Sequence, residues 1–322
     1  MFELELTKSS NLEKHEALAG RLDKNHPKFP EVEGNLKKLT AGYRGEKTVD
    51  YFLHSLPTKK HHIFQGLRLP IGKNFFQIDS LLTSTKSGLL IESKNYAGTL
   101  LFEKNQLTRT LNGSNENEIF QNPLIQANNH KILLKYFFEK NKIPVIPIEH
   151  LVCITNTSSN IMISPGYTEA EKRVTRAENL LHKIEQNDKF YTKEVFDEKT
   201  AGKLSKLLKN KHTPLIPNIL QKYGIHKSEI TGVKCPRCSV IPMLYKGGYW
   251  ECLSCQMRAR DPFIKAINDF FLLIKPTITN HELVEFLHLP SARAATYLFS
   301  TLNLPYTGTN KGRVYHQPKL FP

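Results

Sequence analysis

The residues best suited to chemistry lie in Phe75-Phe-Gln-Ile-Asp79-Ser-Leu-Leu-Thr-Ser-Thr-Lys-Ser-Gly-Leu-Leu-Ile-Glu92-Ser-Lys94-Asn-Tyr. Two apolar runs flank a Thr/Lys/Ser/Gly turn, the pattern of a β-hairpin. A symmetric loop centred on Thr85-Lys86 sets Asp79 opposite Glu92, with β-carbons ~5 Å apart. Glu92 and Lys94, two residues apart, point to the same side of their strand. Two carboxylates and an ammonium therefore converge inside an otherwise apolar hairpin. Such a patch suits Mg2+ or Mn2+, hard ions that take carboxylate oxygens and keep several waters. The ion could acidify a water and offset charge building on a phosphate. Lys94 could orient that water or stabilise a pentavalent transition state. The competing reading is an Asp–Lys–Glu cluster on a solvated strand face.

Two further polar residues interrupt apolar helical faces. Glu46 is in register with Leu39, Tyr43, Val49 and Leu53, on a stripe where an unpaired acid is expensive to bury. Gln126 opens a helix that becomes strongly apolar. Either could instead be a boundary residue or a hydrogen-bonded core group. Four of the five cysteines form Cys235-Pro-Arg-Cys238 and Cys252-Leu-Ser-Cys255. This C-x2-C-x13-C-x2-C spacing presents two pairs of sulfurs from tight turns and suits a closed, structural Zn2+ site. Gly247-Gly248 would turn the hairpin between Tyr245 and Trp250. Two disulfides or a redox CxxC are the alternatives, in a chain without secretory signals or a thioredoxin-like context. Cys153 reads as a buried strand residue, and His61-His62 beside Lys59-Lys60 as a solvated loop.

The elements that must position these groups come from 322 residues, 39% of them hydrophobic and 23% charged. That is enough apolar content for real cores and excludes wholesale disorder. No run of ~20 apolar residues occurs, which argues against a transmembrane helix. The N-terminus carries acids before any basic residue and leads into no signal-like segment, so a cytoplasmic protein is expected. Residues 1–200 hold 28 basic and 24 acidic residues, whereas 201–322 hold 17 and 6. A basic C-terminal third points to a polyanion, most often nucleic acid, with a generally basic protein whose lysines merely solvate it as the alternative.

Helices are expected at about 36–56, 123–140, 173–184 and 200–208, with a β-rich stretch to about Leu107 and a strand at Leu151–Ile154. The last sixty residues read as helix (Phe263–Ile274), helix opened by the capping box Thr279-Asn-His-Glu282, helix capped by Ser291, then two short strands between Tyr306 and Tyr315. This is a winged-helix order. In its third helix Arg293, Thr296, Tyr297 and Ser300 share the outer face. A major groove would admit that face, and Lys311 and Arg313 would set a wing on phosphates. Winged helices also serve as protein–protein modules.

Taken together, Gly45-Glu46, Ile78-Asp79, Ile91-Glu92-Ser-Lys94-Asn-Tyr-Ala-Gly98 and Asn122-Pro-Leu-Ile-Gln126 resemble the nuclease-related domain, NERD, a branch of the PD-(D/E)xK restriction-endonuclease-like superfamily. The resemblance covers about Leu36 to Ile154, with Ile78 where the superfamily's name has proline. It implies an α/β fold, a mixed sheet flanked by helices, and metal-dependent phosphodiester hydrolysis, most often of DNA, with RNA left open. By matching positions, Asp79 and Glu92 correspond to metal ligands, joined by the Ser93 carbonyl, and Lys94 to the catalytic lysine. Glu46 corresponds to the additional acid of the first helix and Gln126 to the polar helix residue near the site. The expected organisation is an N-terminal extension (1–34), a nuclease-like domain (35–208), a basic linker (209–230), a zinc ribbon (231–261) and a winged-helix-like domain (262–322). The expected activity is that of a Mg2+- or Mn2+-dependent deoxyribonuclease. A non-catalytic DNA-binding regulator using the ribbon and winged helix is the alternative, and homo-oligomerisation stays open.

Overall fold

A computed structural model describes the chain except residues 58, 59, 112, 114, 115 and 319–322, with the backbone alone at Lys311. Contacts divide it into two compact units, Met1–Lys8 with Thr40–Leu215, and Ser9–Leu39 with Ile216–Pro322. In chain order the first elements are β1 (Phe2–Leu4), α1 (Ser10–Arg21), α2 (Phe29–His54), β2 (His62–Ile71), β3 (Asn74–Thr83) and β4 (Gly88–Lys94). There follow β5 (Thr99–Phe102), β6 (Gln106–Thr110), β7 (Asn117–Gln121), α3 (Pro123–Lys140), β8 (Ile148–Ile154) and β9 (Asn160–Ile163). The first unit closes with α4 (Thr168–Arg173), β10 (Val174–Arg176), α5 (Leu180–Phe190) and α6 (Glu198–Lys211). Helix α2 gives its residues to Leu39 to the second unit and those from Thr40 to the first.

The first unit is built on a six-stranded sheet of order β1-β2-β3-β4-β8-β10. Strands β2, β3 and β4 are antiparallel, and β4, β8 and β10 run parallel. One face packs Leu134, Phe137 and Phe138 of α3 and Leu204 and Leu208 of α6. The other packs Val49 and Leu53 of α2 with Leu180 and Ile184 of α5. Helices on both faces explain why the second half of β8, Leu151-Val-Cys-Ile154, is apolar at every position: both of its sides are buried. A second sheet, β7-β6-β5-β9, buries Leu100, Phe102 and Leu107 with Val152 and Ile154. The helix expected over 173–184 is two helices separated by β10. Val174-Thr175 are β-branched, and they extend the edge of the sheet beside β8.

The second unit contains α1, the start of α2 and, after Leu215, α7 (Ile219–Tyr223), β11 (Leu244–Lys246), β12 (Tyr249–Glu251) and β13 (Arg258–Ala259). Its last elements are α8 (Pro262–Leu273), β14 (Thr277–Thr279), α9 (Asn280–Leu287), α10 (Ala292–Ser300), β15 (Tyr306–Thr307) and β16 (Val314–His316). Neither the N-terminal extension nor the linker has the form expected. Strand β1 joins the large sheet beside β2. Ala17, Leu18 and Leu22 bury against Ile219, Leu220, Ile225 and Leu273. Each segment is too sparsely apolar to signal alone; its partner lies some two hundred residues away. The guanidinium of Arg21 is sealed in, 3.2 Å from Asp269 and hydrogen-bonded to the Ile230 carbonyl.

Nor are the cysteine hairpin and the C-terminal helices separate. Val233, Met243 and Trp250 share one core with Phe263, Phe270, Leu283, Leu298 and Phe299. The capping box at Thr279–Glu282 and the Ser291 cap form as the sequence predicts. An unpredicted strand, β14, pairs with β16 and completes a three-stranded sheet of order β14-β16-β15. Its three residues, Thr277-Ile-Thr279, are too few to show a period. Among the described residues no helix is long and apolar enough to cross a membrane.

Candidate active site

The hairpin register is the predicted one: Ser80 pairs with Ile91 and Thr83 with Gly88. The β3–β4 ladder ends one step before the two carboxylates, where direct opposition would be repulsive. The Asp79 carboxylate instead accepts from the backbone N–H (2.9 Å) and hydroxyl (3.0 Å) of Ser93. On its other side, β2 pairs with β3 from His62–Thr83 to Ile71–Asn74 but skips the step between Gly66 and Asp79. Gly66 has φ +59°, a left-handed conformation that glycine adopts without steric penalty. Such irregularities re-aim side chains, and this one lies beside Asp79.

Lys94 lies on the same strand face as Glu92, as alternation requires. Its Nζ donates to Glu92 Oε1 at 2.7 Å and to Gln126 Oε1 at 3.1 Å. Gln126 is delivered by the start of α3. Asn122, fully buried, caps that helix by accepting from the Leu124 N–H at 2.8 Å, and its amide donates to the Glu103 carbonyl and the Tyr167 hydroxyl. Pro123 fills the first helical turn, where a missing N–H costs nothing. One turn beyond Gln126, His130 places Nδ1 3.7 Å from Glu92 Oε2. It was not among the expected site residues. The signal was its i+4 spacing from Gln126, which puts both on one helix face.

Glu46 arrives from α2, which approaches the sheet closely at Gly45. A β-carbon there would stand 3.0 Å from Asn95 Cβ and from Thr155 Oγ1. Asn95 donates to the Ala41 carbonyl at 2.8 Å and fastens the helix to the end of β4. The structure thus gathers Glu46, Asp79, Glu92, Ser93, Lys94 and Gln126 at one place. An open cleft of ≈ 620 Å³, walled by Phe75, Gln77, Asp79, Gln126 and His130 among others, leads to it.

Charge crowding is severe. Glu92 is 2% exposed, and burial, with the Asp79 carboxylate, pushes its pKa up to about 8 against the pull of Lys94. Burial and Asp79 likewise push half-buried Glu46 up to about 7. Burial disfavours the Lys94 ammonium, but Glu92 and Asp79 outweigh it and hold its pKa above the ordinary lysine value. Glu92 Oε2 and His130 Nδ1 are both buried without a hydrogen-bond partner. An orphaned carboxylate oxygen beside a second acid fits a divalent cation: Asp79 and Glu92 supply hard oxygen ligands, and a cation would lower the raised pKa values of Glu92 and Glu46.

Among the described residues, the four cysteines are the group of potential metal ligands whose atoms fall within 4.8 Å of one another. Sγ of Cys235 lies 3.6 Å from that of Cys255, and Cys238 3.4 Å from Cys252; all four are thiols rather than disulfides. Burial raises the Cys235 thiol, yet the Cys238 and Arg237 N–H groups bring it down to about 6. At Cys255 the Met257 N–H also lowers the pKa, but burial and the three facing sulfurs carry it up to about 12. The cluster could hold a metal ion, which would relieve that crowding.

Arg293, Thr296, Tyr297 and Ser300 are all exposed on α10, opposite buried Ala295, Leu298 and Phe299. Two of the polar groups are already engaged: Thr296 donates to the Ala292 carbonyl and Ser300 to that of Tyr297. Arg313 is half-buried over the Tyr306 ring, 4.2 Å from its centroid. The Lys311 side chain lies outside the described residues, as does Lys59. His61 and His62 are not a solvated loop. His61 sits 3.0 Å from Asp188, and His62 opens β2 and bonds Glu3.

No curated protein and no solved structure matches the chain. One family does, over the segment that carries Glu46, Asp79, Glu92, Lys94, Gln126 and His130. Residues 41–155 match the model of the nuclease-related domain family, NERD, which implies a restriction-endonuclease-like fold for the first unit.

Proposed function

We propose that the protein is a divalent-metal-dependent nuclease that hydrolyses phosphodiester bonds of DNA. The observation that carries this is the division of labour at Glu92: Oε1 is held by Lys94, while Oε2 is buried, unpartnered and beside Asp79. Asp79, Glu92 and the Ser93 carbonyl would hold Mg2+ or Mn2+. When bound, such an ion supplies polarisation of a phosphoryl oxygen and acidification of water. Ser93 fixes the orientation of Asp79 through two hydrogen bonds. Lys94 remains an ammonium, so it acts as a donor to charge developing on the phosphate rather than as a base. Gln126 holds that ammonium toward the cleft, and Glu46 offers a carboxylate to the proton of an attacking water.

The second unit supplies grip. Its four thiolates would bind a structural Zn2+, whose closed shell leaves no catalytic position. The order α8-β14-α9-α10-β15-β16 suits a winged helix, with Arg293, Thr296, Tyr297 and Ser300 facing DNA and Lys311 and Arg313 on its wing. The test is a panel of linear, circular and single-stranded DNA and of RNA, each with Mg2+ and Mn2+. Cleavage of DNA that requires the ion supports the assignment. Binding without cleavage under every condition favours the non-catalytic DNA-binding regulator.

A further inference from the structure

The cysteine hairpin presents two unlike faces. Tyr245, Trp250 and Ala259 form one: Trp250 is fully buried and packs near Tyr245 and Phe263. Strand alternation sends Leu244, Lys246, Tyr249, Glu251 and Arg258 to the other, with Arg260 one step beyond the ladder on the same side. Lys246, Arg258 and Arg260 are exposed, and Glu251 is the one acid among these six. The two guanidinium groups are not loose. Both lie over the Tyr249 ring, at 5.2 Å for Arg258 and 5.0 Å for Arg260. Arg260 also donates to the Tyr249 hydroxyl at 2.7 Å, and Arg258 pairs with Glu251 at 2.7 Å. Tyr297 of α10 is near enough to interact electrostatically with Arg260 and Tyr245, so this face continues into the outer face of α10.

Resting on the reading above that the second unit grips DNA, we propose that the outer face of this hairpin is a sequence-independent clamp for the DNA backbone, with Lys246 and Arg260 as its phosphate contacts and Tyr249 as the residue that holds Arg260 in place. The chemistry favours an oxyanion, and phosphate is the one that a nucleic-acid backbone presents. A planar, exposed guanidinium fixed at one edge keeps its remaining N–H groups for phosphate oxygens, with less rotamer entropy to lose on binding. Arg258 contributes less because Glu251 already partners it. The shared core beneath Trp250 makes the clamp rigid with respect to α10, so the two surfaces engage one backbone rather than act as tethered modules.

The test uses the full chain with Asp79→Ala, so that binding is read without cleavage, and random-sequence duplex DNA by fluorescence anisotropy between about 50 and 200 mM salt. Each phosphate contact contributes about 0.9 to the slope of log affinity on log salt. Lys246→Ala with Arg260→Ala should weaken binding and lessen the slope by about two. Arg260→Lys keeps the charge but loses the held fork, so its affinity should fall with the slope unchanged. Zinc content and circular dichroism verify that each variant is folded. An unchanged slope in the folded double variant, or wild-type affinity in Arg260→Lys, would overturn the clamp. Neither outcome bears on cleavage, which the wild-type chain reports separately.

Discussion

The crowded acids make a sharp prediction about the metal-free protein. Glu92 is 2% exposed and its pKa is raised from 4.5 to about 8. The folded state therefore keeps a proton that the unfolded chain has lost, and between those two pH values stability must fall as pH rises. Each pKa unit is worth about 1.4 kcal/mol, so the loss reaches about 4 kcal/mol by pH 8. Glu92→Gln resembles the protonated acid and removes the penalty. Without added divalent ion it should match wild type near pH 5 and exceed it by about 4 kcal/mol at pH 8. The probe must report the first unit. Trp250, the single tryptophan, sits in the other, so urea-dependent hydrogen exchange of the β4 amides is the suitable assay. Mg2+ at a hundred times its dissociation constant should restore about 2.7 kcal/mol to wild type and nothing to the variant. A variant less stable than wild type at pH 8, or a pH-independent wild type, would refute the reasoning.

Three further outcomes are expected. Lys94→Met should lower the cleavage rate by about 10²–10³, the usual cost of one preorganised donor, while DNA affinity in a filter-binding assay stays near wild type. Gly45→Val forces side-chain atoms against Asn95 and Thr155, contacts a β-carbon alone would already bring to 3.0 Å. It should cost about 1–3 kcal/mol and reduce turnover more than affinity, since it displaces Glu46 and not the second unit. Elemental analysis should find zinc in the wild type and none in Cys252→Ser. Because Trp250 and Phe263 belong to one core, the substitution should also loosen α8 in hydrogen exchange, not the hairpin alone.

Local chemistry was legible in the sequence where short-range rules decide it. The hairpin register, the shared side of Glu92 and Lys94, the extent of α3 and the caps at Thr279 and Ser291 all follow from alternation, turn position and capping. What escaped was set by distant partners. Residues 9–39 and 216–230 each lack a strong apolar period, yet they bury one another around Leu18, Val32, Ile219 and Leu220. The irregularity at Gly66 was invisible because its cause is the pairing of β2 with β3 around Asp79. His130 was overlooked because a histidine on an apolar helix is unremarkable until the Glu92 carboxylate is seen 3.7 Å away.

The central claim is that Asp79 and Glu92 run a metal-dependent phosphodiester cleavage. Its most direct test is cleavage of plasmid DNA by purified wild type, Asp79→Ala and Glu92→Ala, each with Mg2+, with Mn2+ and with neither, after zinc content and DNA affinity have been matched. The account predicts cleavage by wild type alone and only with an added ion. Wild-type-like cleavage by Glu92→Ala, or cleavage by wild type that no divalent ion affects, would contradict it.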